Sequence, residues 1–227
     1  MSDERITILL VDDHAVVREG YRTLLSKHAE FRVVGEAEDA LSAYKAYKHH
    51  RPEVVVMDIS MPGRGGIDAV EHVRRFDPHA RILVFTMHNG VAYALQAFRA
   101  GAKGYVTKCS PPDVLVNAVR TVAKGGIALC PETSQMLALH QVEGETSSLT
   151  GLSPREFEIL RMLVEARTPD DIAESLNISR KTVANYHYLI KTKLGVASDI
   201  ELLYYGLRHG LVSAAPADRL AGDRPRI

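Results

Sequence analysis

Asp12 and Asp13 stand at the end of an apolar run, Ile6 to Val11, and Asp58 ends a second, Val54 to Met57. Thr86 closes a third run, Ile82 to Phe85, and Lys108 follows Tyr105 to Thr107. If these runs are neighbouring strands of one sheet, three carboxylates, a hydroxyl and an ammonium meet at one edge. Clustered carboxylates repel one another unless a cation joins them, and donors that are all oxygen suit Mg²⁺. A carboxylate beside such an ion is suited to accept a phosphoryl group, because the ion offsets the arriving charge.

The elements needed to position these groups are legible as alternating patterns. Residues 5–11, 31–36, 53–57, 81–85 and 104–107 read as strands, with helical spacing over 14–27, 39–50, 66–75, 90–100 and 112–123. The runs Val54-Val55-Val56 and Ile82-Leu83-Val84 are continuously apolar, as expected of strands covered on both faces. The expected fold over residues 5–123 is a doubly wound α/β domain with a five-stranded parallel sheet, which binds ligands at the carboxyl ends of its strands. Residues 124–151 are expected to be a linker holding one short helix near 132–141. Over 152–211 the pattern becomes purely helical, with four candidate helices, and 212–227 is expected to be a disordered tail.

Composition narrows the function classes without choosing among them. The chain has 28 basic and 28 acidic residues, so net charge signals no partner. Its two cysteines, Cys109 and Cys130, have no metal or redox spacing and are expected to be free thiols in a reducing cytosol. No apolar stretch approaches the roughly 20 residues of a membrane helix. A cytoplasmic protein with no membrane partner is expected.

Val11-Asp12-Asp13-His14, Met57-Asp58-Ile59-Ser60-Met61-Pro62, Phe85-Thr86-Met87 and Gly104-Tyr105-Val106-Thr107-Lys108 together resemble the receiver domain of bacterial two-component response regulators, a flavodoxin-like fold. The resemblance implies that Asp58 is the phosphoacceptor, supplied by the histidine of a sensor kinase. It also implies that Asp13, Asp58 and the Ser60 carbonyl hold Mg²⁺, with Asp12 acting through water. Lys108 is then expected to pair with the phosphoryl oxygens, Thr86 to hydrogen-bond them, and Tyr105 to rotate inward behind Thr86. Three positions depart from the usual pattern: Met87 is larger than its counterparts, Cys109 replaces a common proline, and Arg64 stands where an apolar residue is frequent.

Further along, Leu152-Ser153-Pro154-Arg155-Glu156, Lys181-Thr182-Val183 and Lys193-Leu194-Gly195-Val196 resemble the LuxR-type helix-turn-helix of NarL/FixJ regulators. The GacA/UvrY branch is the nearer match and UhpA-like regulators the other. The candidate motif pairs helix 169–176 with helix 180–194 across Asn177-Ile178. On a helical wheel, Val183, Ile190 and Leu194 form the core stripe with His187 alongside, while Lys181, Ala184, Asn185, Tyr188 and Thr192 face outward. The resemblance puts Ala184, Asn185 and Tyr188 at base-reading positions of double-stranded promoter DNA. Asn185 suits adenine in the major groove. Ser179, Arg180, Lys181, Thr182, Lys191 and Lys193 are the expected phosphate-side contacts. Charge supports this only locally: residues 152–211 hold eight Lys or Arg and eight Asp or Glu, but helix 180–194 contains no acid.

The combined expectation is a transcriptional regulator, not an enzyme beyond self-phosphorylation and self-dephosphorylation at Asp58. Its unphosphorylated receiver is expected to cover helix 180–194. Phosphorylation is expected to favour a homodimer seamed along Ile200, Leu203 and Leu207. Two other classes stay open at this stage. One is an interaction adaptor that does not act through DNA. The other is an aspartyl-phosphate phosphohydrolase, disfavoured because such enzymes usually need an acid two residues after the nucleophile and Ser60 stands there.

Overall fold

The computed structural model describes residues 5–61, 65–142 and 148–212. Gly63 and Arg64 of the glycine-rich loop, and the expected disordered tail from Ser213 onward, lie outside the described residues.

The first half alternates β1 (Ile6–Val11), α1 (Ala15–Ser26), β2 (Phe31–Ala37), α2 (Ala40–His50), β3 (Val54–Met57), α3 (Gly66–Phe76), β4 (Ile82–Thr86), α4 (Val91–Arg99), β5 (Gly104–Thr107) and α5 (Pro112–Ala123). All strands pair in parallel, in the order β2-β1-β3-β4-β5 with a sixth strand beyond β5. The sixth strand, β6 (Ala128–Leu129), was not expected. It is two residues long, too short for periodicity to register, yet it extends β5 by pairing Gly104 with Ala128.

Because strand side chains alternate, one set of sheet residues packs on each face. Ile8, Leu10, Val54, Val56, Leu83, Phe85 and Val106 point toward α1 and α5 and bury Leu25, Leu115, Val119 and Val122 against them. Leu9, Val11, Val55, Met57, Ile82, Val84 and Tyr105 point the other way, into a core with Ala43 and Tyr47 of α2, Val70 and Val73 of α3 and Ala94 and Ala97 of α4. Both faces being covered is why the central strands read as unbroken apolar runs.

Within the segment expected as linker, α6 (Pro131–Val142) follows β6, and a short 3₁₀ turn spans Ser148–Gly151. The remainder is helical: α7 (Pro154–Val164), α8 (Pro169–Leu176), α9 (Arg180–Leu194) and α10 (Asp199–Arg208). Local chemistry starts each helix. Ser153 and Glu156 form a reciprocal capping box before α7, as do Thr168 and Asp171 before α8, each with proline just inside the helix. Ser179 accepts from the Thr182 amide to cap α9, and Ser198 from Glu201 to cap α10. Such caps are worth about 1 kcal/mol each. Asn177, in the left-handed region at φ 49°, ends α8 and turns the chain into α9.

The core of the helical half, including Leu149, Leu152, Phe157, Leu160, Val183, Ile190 and Leu202, is continuous with the α2–α3–α4 side of the sheet domain. The two halves are therefore docked through an apolar contact.

Candidate functional site

Strand order reverses between β1 and β3, so the carboxyl ends of these neighbours open the crevice where doubly wound sheets bind ligands. Asp12 and Asp58 follow those strands and lie side by side; the Asp58 amide donates to the Val11 carbonyl at 2.8 Å. Both are buried, Asp58 to 2 % exposure. Lys108 reaches across from the end of β5, where its amide is held by the Thr86 carbonyl at 2.8 Å. Its Nζ donates to Asp12 Oδ2 at 2.5 Å and to Asp58 Oδ2 at 2.6 Å. Burial alone would lower the Lys108 pKa, but the hydrogen bonds it donates to Asp12 and Asp58 outweigh it and raise the value.

The other oxygens are held by short-range chemistry. Asp58 Oδ1 accepts from the Ser60 amide at 2.9 Å, and Ser60 Oγ lies 3.1 Å from Thr86 Oγ1. Asp12 Oδ1 accepts from the His14 amide at 2.9 Å. Asp13 differs: its Oδ1 has no hydrogen-bond partner among the described residues, though His14 Nδ1 lies 2.9 Å away. Asp13 shares a cluster with Asp12 and His14 whose ligand atoms lie within 4.8 Å of one another, and a buried carboxylate oxygen without a donor is the environment a hard cation satisfies. Gly66 permits this layout, since a Cβ there would sit 2.3 Å from the Asp58 carbonyl oxygen.

Tyr105, expected to turn inward on phosphorylation, already points inward and is fully buried, with its hydroxyl donating to the His88 carbonyl at 2.9 Å. Met87 is 60 % exposed. Arg18 was not singled out from the sequence; it donates to the Asp12 carbonyl at 2.5 Å and to Glu36 at 3.2 Å, bracing the end of β1. It lies one helical turn beyond the acidic pair, and only the fold brings Glu36 to it.

In the helical half, Val183, Ile190 and Leu194 are buried, whereas Lys181, Ala184, Asn185, Tyr188 and Thr192 are exposed on the other face of α9. The expectation that the sheet domain covers α9 is not met. The docked contact is made by α7, the 3₁₀ turn and the residues just after α10, Gly210 and Leu211, leaving Tyr188 70 % exposed. The cations of α9 are also less independent than the acid-free sequence implied. Arg180 lies 3.6 Å from Asp170 on α8, and Lys191 3.1 Å from Asp199 on α10. Lys193 donates to the buried Glu156 of α7 at 2.6 Å. Lys181 makes no ion pair among the described residues. His187, partly buried, has its Nε2 2.8 Å from Asp199. On α10, Ile200, Leu203, Tyr204 and Leu207 are exposed.

A parallel doubly wound sheet with this acidic crevice, joined to a helix-turn-helix with an open outer face, defines a two-domain regulator class. Residues 8–120 match the response regulator receiver domain, and residues 150–205 match the bacterial regulatory proteins of the luxR family. The chain is 37 % identical to the response regulator UvrY of Escherichia coli K12 over 211 residues, covering 92 % of this chain and 97 % of that protein. It is 36 % identical over 212 residues to the response regulator GacA of Pseudomonas aeruginosa, covering 92 % and 99 %. RcsB of Salmonella enterica serovar Typhimurium, solved bound to promoter rprA with phosphomimetic BeF3-, superposes with a TM-score of 0.68 at 31 % identity, covering 88 % of this chain and 98 % of that one. The chain belongs to the two-component response regulators that carry a receiver domain and a LuxR-type helix-turn-helix.

Proposed function

We propose that Asp58 accepts a phosphoryl group from the histidine of a sensor kinase in the cytoplasm, and that this controls promoter binding through α9. The receiver is assigned to 5–123, the linker to 124–151, the DNA-binding domain to 152–211 and a tail to 212–227. The observation that carries this reading is the Lys108 ammonium held between Asp12 and Asp58, with an oxygen of Asp13 left without a donor. Asp13, Asp58 and the Ser60 carbonyl would hold Mg²⁺ directly, with Asp12 acting through water. When bound, the ion supplies neutralisation of the crowded negative charge.

The chain's own groups do the rest. Asp58 Oδ supplies the electron pair that forms the new O–P bond as the P–N bond to the kinase histidine breaks. Lys108 exchanges a carboxylate partner for a phosphoryl oxygen. Thr86, now sharing its hydroxyl with Ser60, turns to the phosphoryl group. Slow self-dephosphorylation by water then resets the switch. For DNA, Ala184, Asn185 and Tyr188 read bases, while Ser179, Arg180, Lys181, Thr182 and Lys191 contact the backbone. Exposed ion pairs such as Arg180–Asp170 are worth only about 0–1 kcal/mol and yield readily to a phosphate. Lys193, held by Glu156, is assigned to the domain's own packing. Exposed apolar residues of α10 seam a homodimer in the phosphorylated state.

Gel-shift titration of promoter DNA with and without a phosphoryl donor tests the reading. The wild type is expected to bind at least several-fold more tightly with donor, and Asp58→Asn to show no donor response. A variant that still responds would place the acceptor elsewhere.

A further inference from the structure

His14 stands at the N-cap of α1, the position from which a polar side chain commonly accepts an amide of the first turn. Its imidazole makes no such bond. The His14 amide is held by Asp12 Oδ1 at 2.9 Å, and the ring faces the two carboxylates instead. Nδ1 lies 2.9 Å from Asp13 Oδ1 and 3.5 Å from Asp12 Oδ1. The shorter approach lacks the geometry of a hydrogen bond, since Asp13 Oδ1 has no hydrogen-bond partner among the described residues. A nitrogen and a carboxylate oxygen this close, yet not bonded to each other, have the spacing of two donors that share an ion. Around an ion with bonds of about 2.1 Å, adjacent donors stand about 3.0 Å apart in an octahedral shell and about 3.4 Å apart in a tetrahedral one. Asp12, Asp13 and His14 each bring one donor atom within 4.8 Å of the other two. Lys108 occupies Asp12 Oδ2, so the Asp12 oxygen on the His14 side is Oδ1.

We propose that His14 is a nitrogen ligand of the ion held at Asp13, and that it makes the crevice favour a borderline divalent ion, Mn²⁺, Co²⁺ or Zn²⁺, over Mg²⁺. The inference rests on the reading of Asp13 as a direct ligand in the phosphoacceptor pocket. Donor chemistry decides the preference. Mg²⁺ takes oxygen donors and keeps several of its waters, so the imidazole adds little to its binding. The transition ions accept imidazole readily, and their affinity for mixed nitrogen and oxygen sites rises from Mn²⁺ through Co²⁺. One further ligand of this kind strengthens their hold without removing an oxygen that Mg²⁺ uses. Occupancy of the crevice, on which phosphoryl acceptance depends, then follows the supply of a transition ion as well as of Mg²⁺.

The test uses the full chain, stripped with a chelator and reloaded at pH 7.5, as wild type, His14→Ala and Asp13→Asn. Calorimetry gives the Mg²⁺ and Co²⁺ affinities, and electron spin echo modulation of the Mn²⁺-loaded protein reports nitrogen bonded to the ion. The His14 side chain is 67 % exposed, so its truncation leaves the fold intact. Wild type should show the nitrogen coupling and bind Co²⁺ about tenfold or more tightly than His14→Ala, with Mg²⁺ affinities within about twofold of each other. The coupling should vanish in His14→Ala, and Asp13→Asn should weaken both ions. Equal Co²⁺ affinities in wild type and His14→Ala, or a nitrogen coupling that persists without His14, would overturn the inference while Mg²⁺ binding at Asp13 stands. Mg²⁺ and Co²⁺ affinities both unchanged in Asp13→Asn would overturn the pocket reading and the inference with it.

Discussion

At the scale of single residues, the structure sorts the basic side chains of α9 by what they touch. Lys193 Nζ sits 2.6 Å from Glu156, a carboxylate that also accepts the Ser153 amide and closes the α7 capping box. Burial raises the Glu156 pKa, but the Lys193 and Ser153 hydrogen bonds dominate and lower it, so the ion pair is intact at neutral pH. Lys181 has no such partner among the described residues. Lys181→Ala is therefore expected to weaken DNA binding several-fold and to reduce the slope of log affinity against log salt by about 0.9, with folding unchanged. Lys193→Ala is expected to leave that slope alone and to lower the domain's stability by about 1 kcal/mol, discounted for the partly exposed lysine. Salt titrations and urea unfolding of the two variants check the assignment, and equal salt slopes would refute it. The same contrast shows what sequence can reveal. Asp12, Asp58, Thr86 and Lys108 were legible because a parallel sheet collects strand ends at one edge. The partners of Lys191 and Lys193 were not, because Asp199 and Glu156 come from other helices and only packing sets their distance.

At the scale of elements, the strands and helices declared themselves through unbroken apolar runs, capping residues and glycine stops, all of which are local. β6 did not, because two residues carry no period; it exists because β5 offers an edge that Ala128 can join. The turn from β4 into α4 was also unreadable as a mechanical part, since nothing local marks His88. That ring is half-buried against Tyr93 of α4, with Tyr105 of β5 bonded to its backbone and Arg161 and Glu158 of α7, Glu165 just after it and Asp58 after β3 in its field. Burial, then the Arg161 charge, holds its pKa below the ordinary value, against the pull of Asp58, Glu165 and Glu158. The docked form thus disfavours the proton, while an opened His88 accepts it near pH 6.5. Its contribution to docking is full above about pH 6.5 and declines as pH falls from there toward the lowered value. Scattering at pH 7.5 and 5.5 should show the wild type loosening in acid and His88→Phe responding less. Equal acid responses would assign the effect to other histidines.

At the scale of the whole molecule, the docking itself was hidden from the sequence because its residues look like ordinary core. Tyr93, Gln96, Leu149 and Phe157 sit on helical faces that could each have served their own domain. What the docked form leaves open then constrains how control can work. The reading face of α9 is exposed, and so is the apolar stripe of α10, with Ile200 68 % exposed. A receiver that does not cover the reading helix cannot act by masking it. Under the proposed phosphorylation switch, control then falls on how two copies are placed, since a dimer reads two half-sites whose separation is fixed by the DNA turn. Fluorescence anisotropy on duplexes with one and with two half-sites separates these modes. Phosphorylation is expected to leave one-site affinity within about twofold, because the contacts of a single α9 do not change. Two-site affinity is expected to rise by about tenfold or more, as the α10 seams of adjacent copies bury apolar surface and each binding event raises the local concentration of the next. A large gain on the one-site duplex would mean instead that the docked receiver restrains α9 directly.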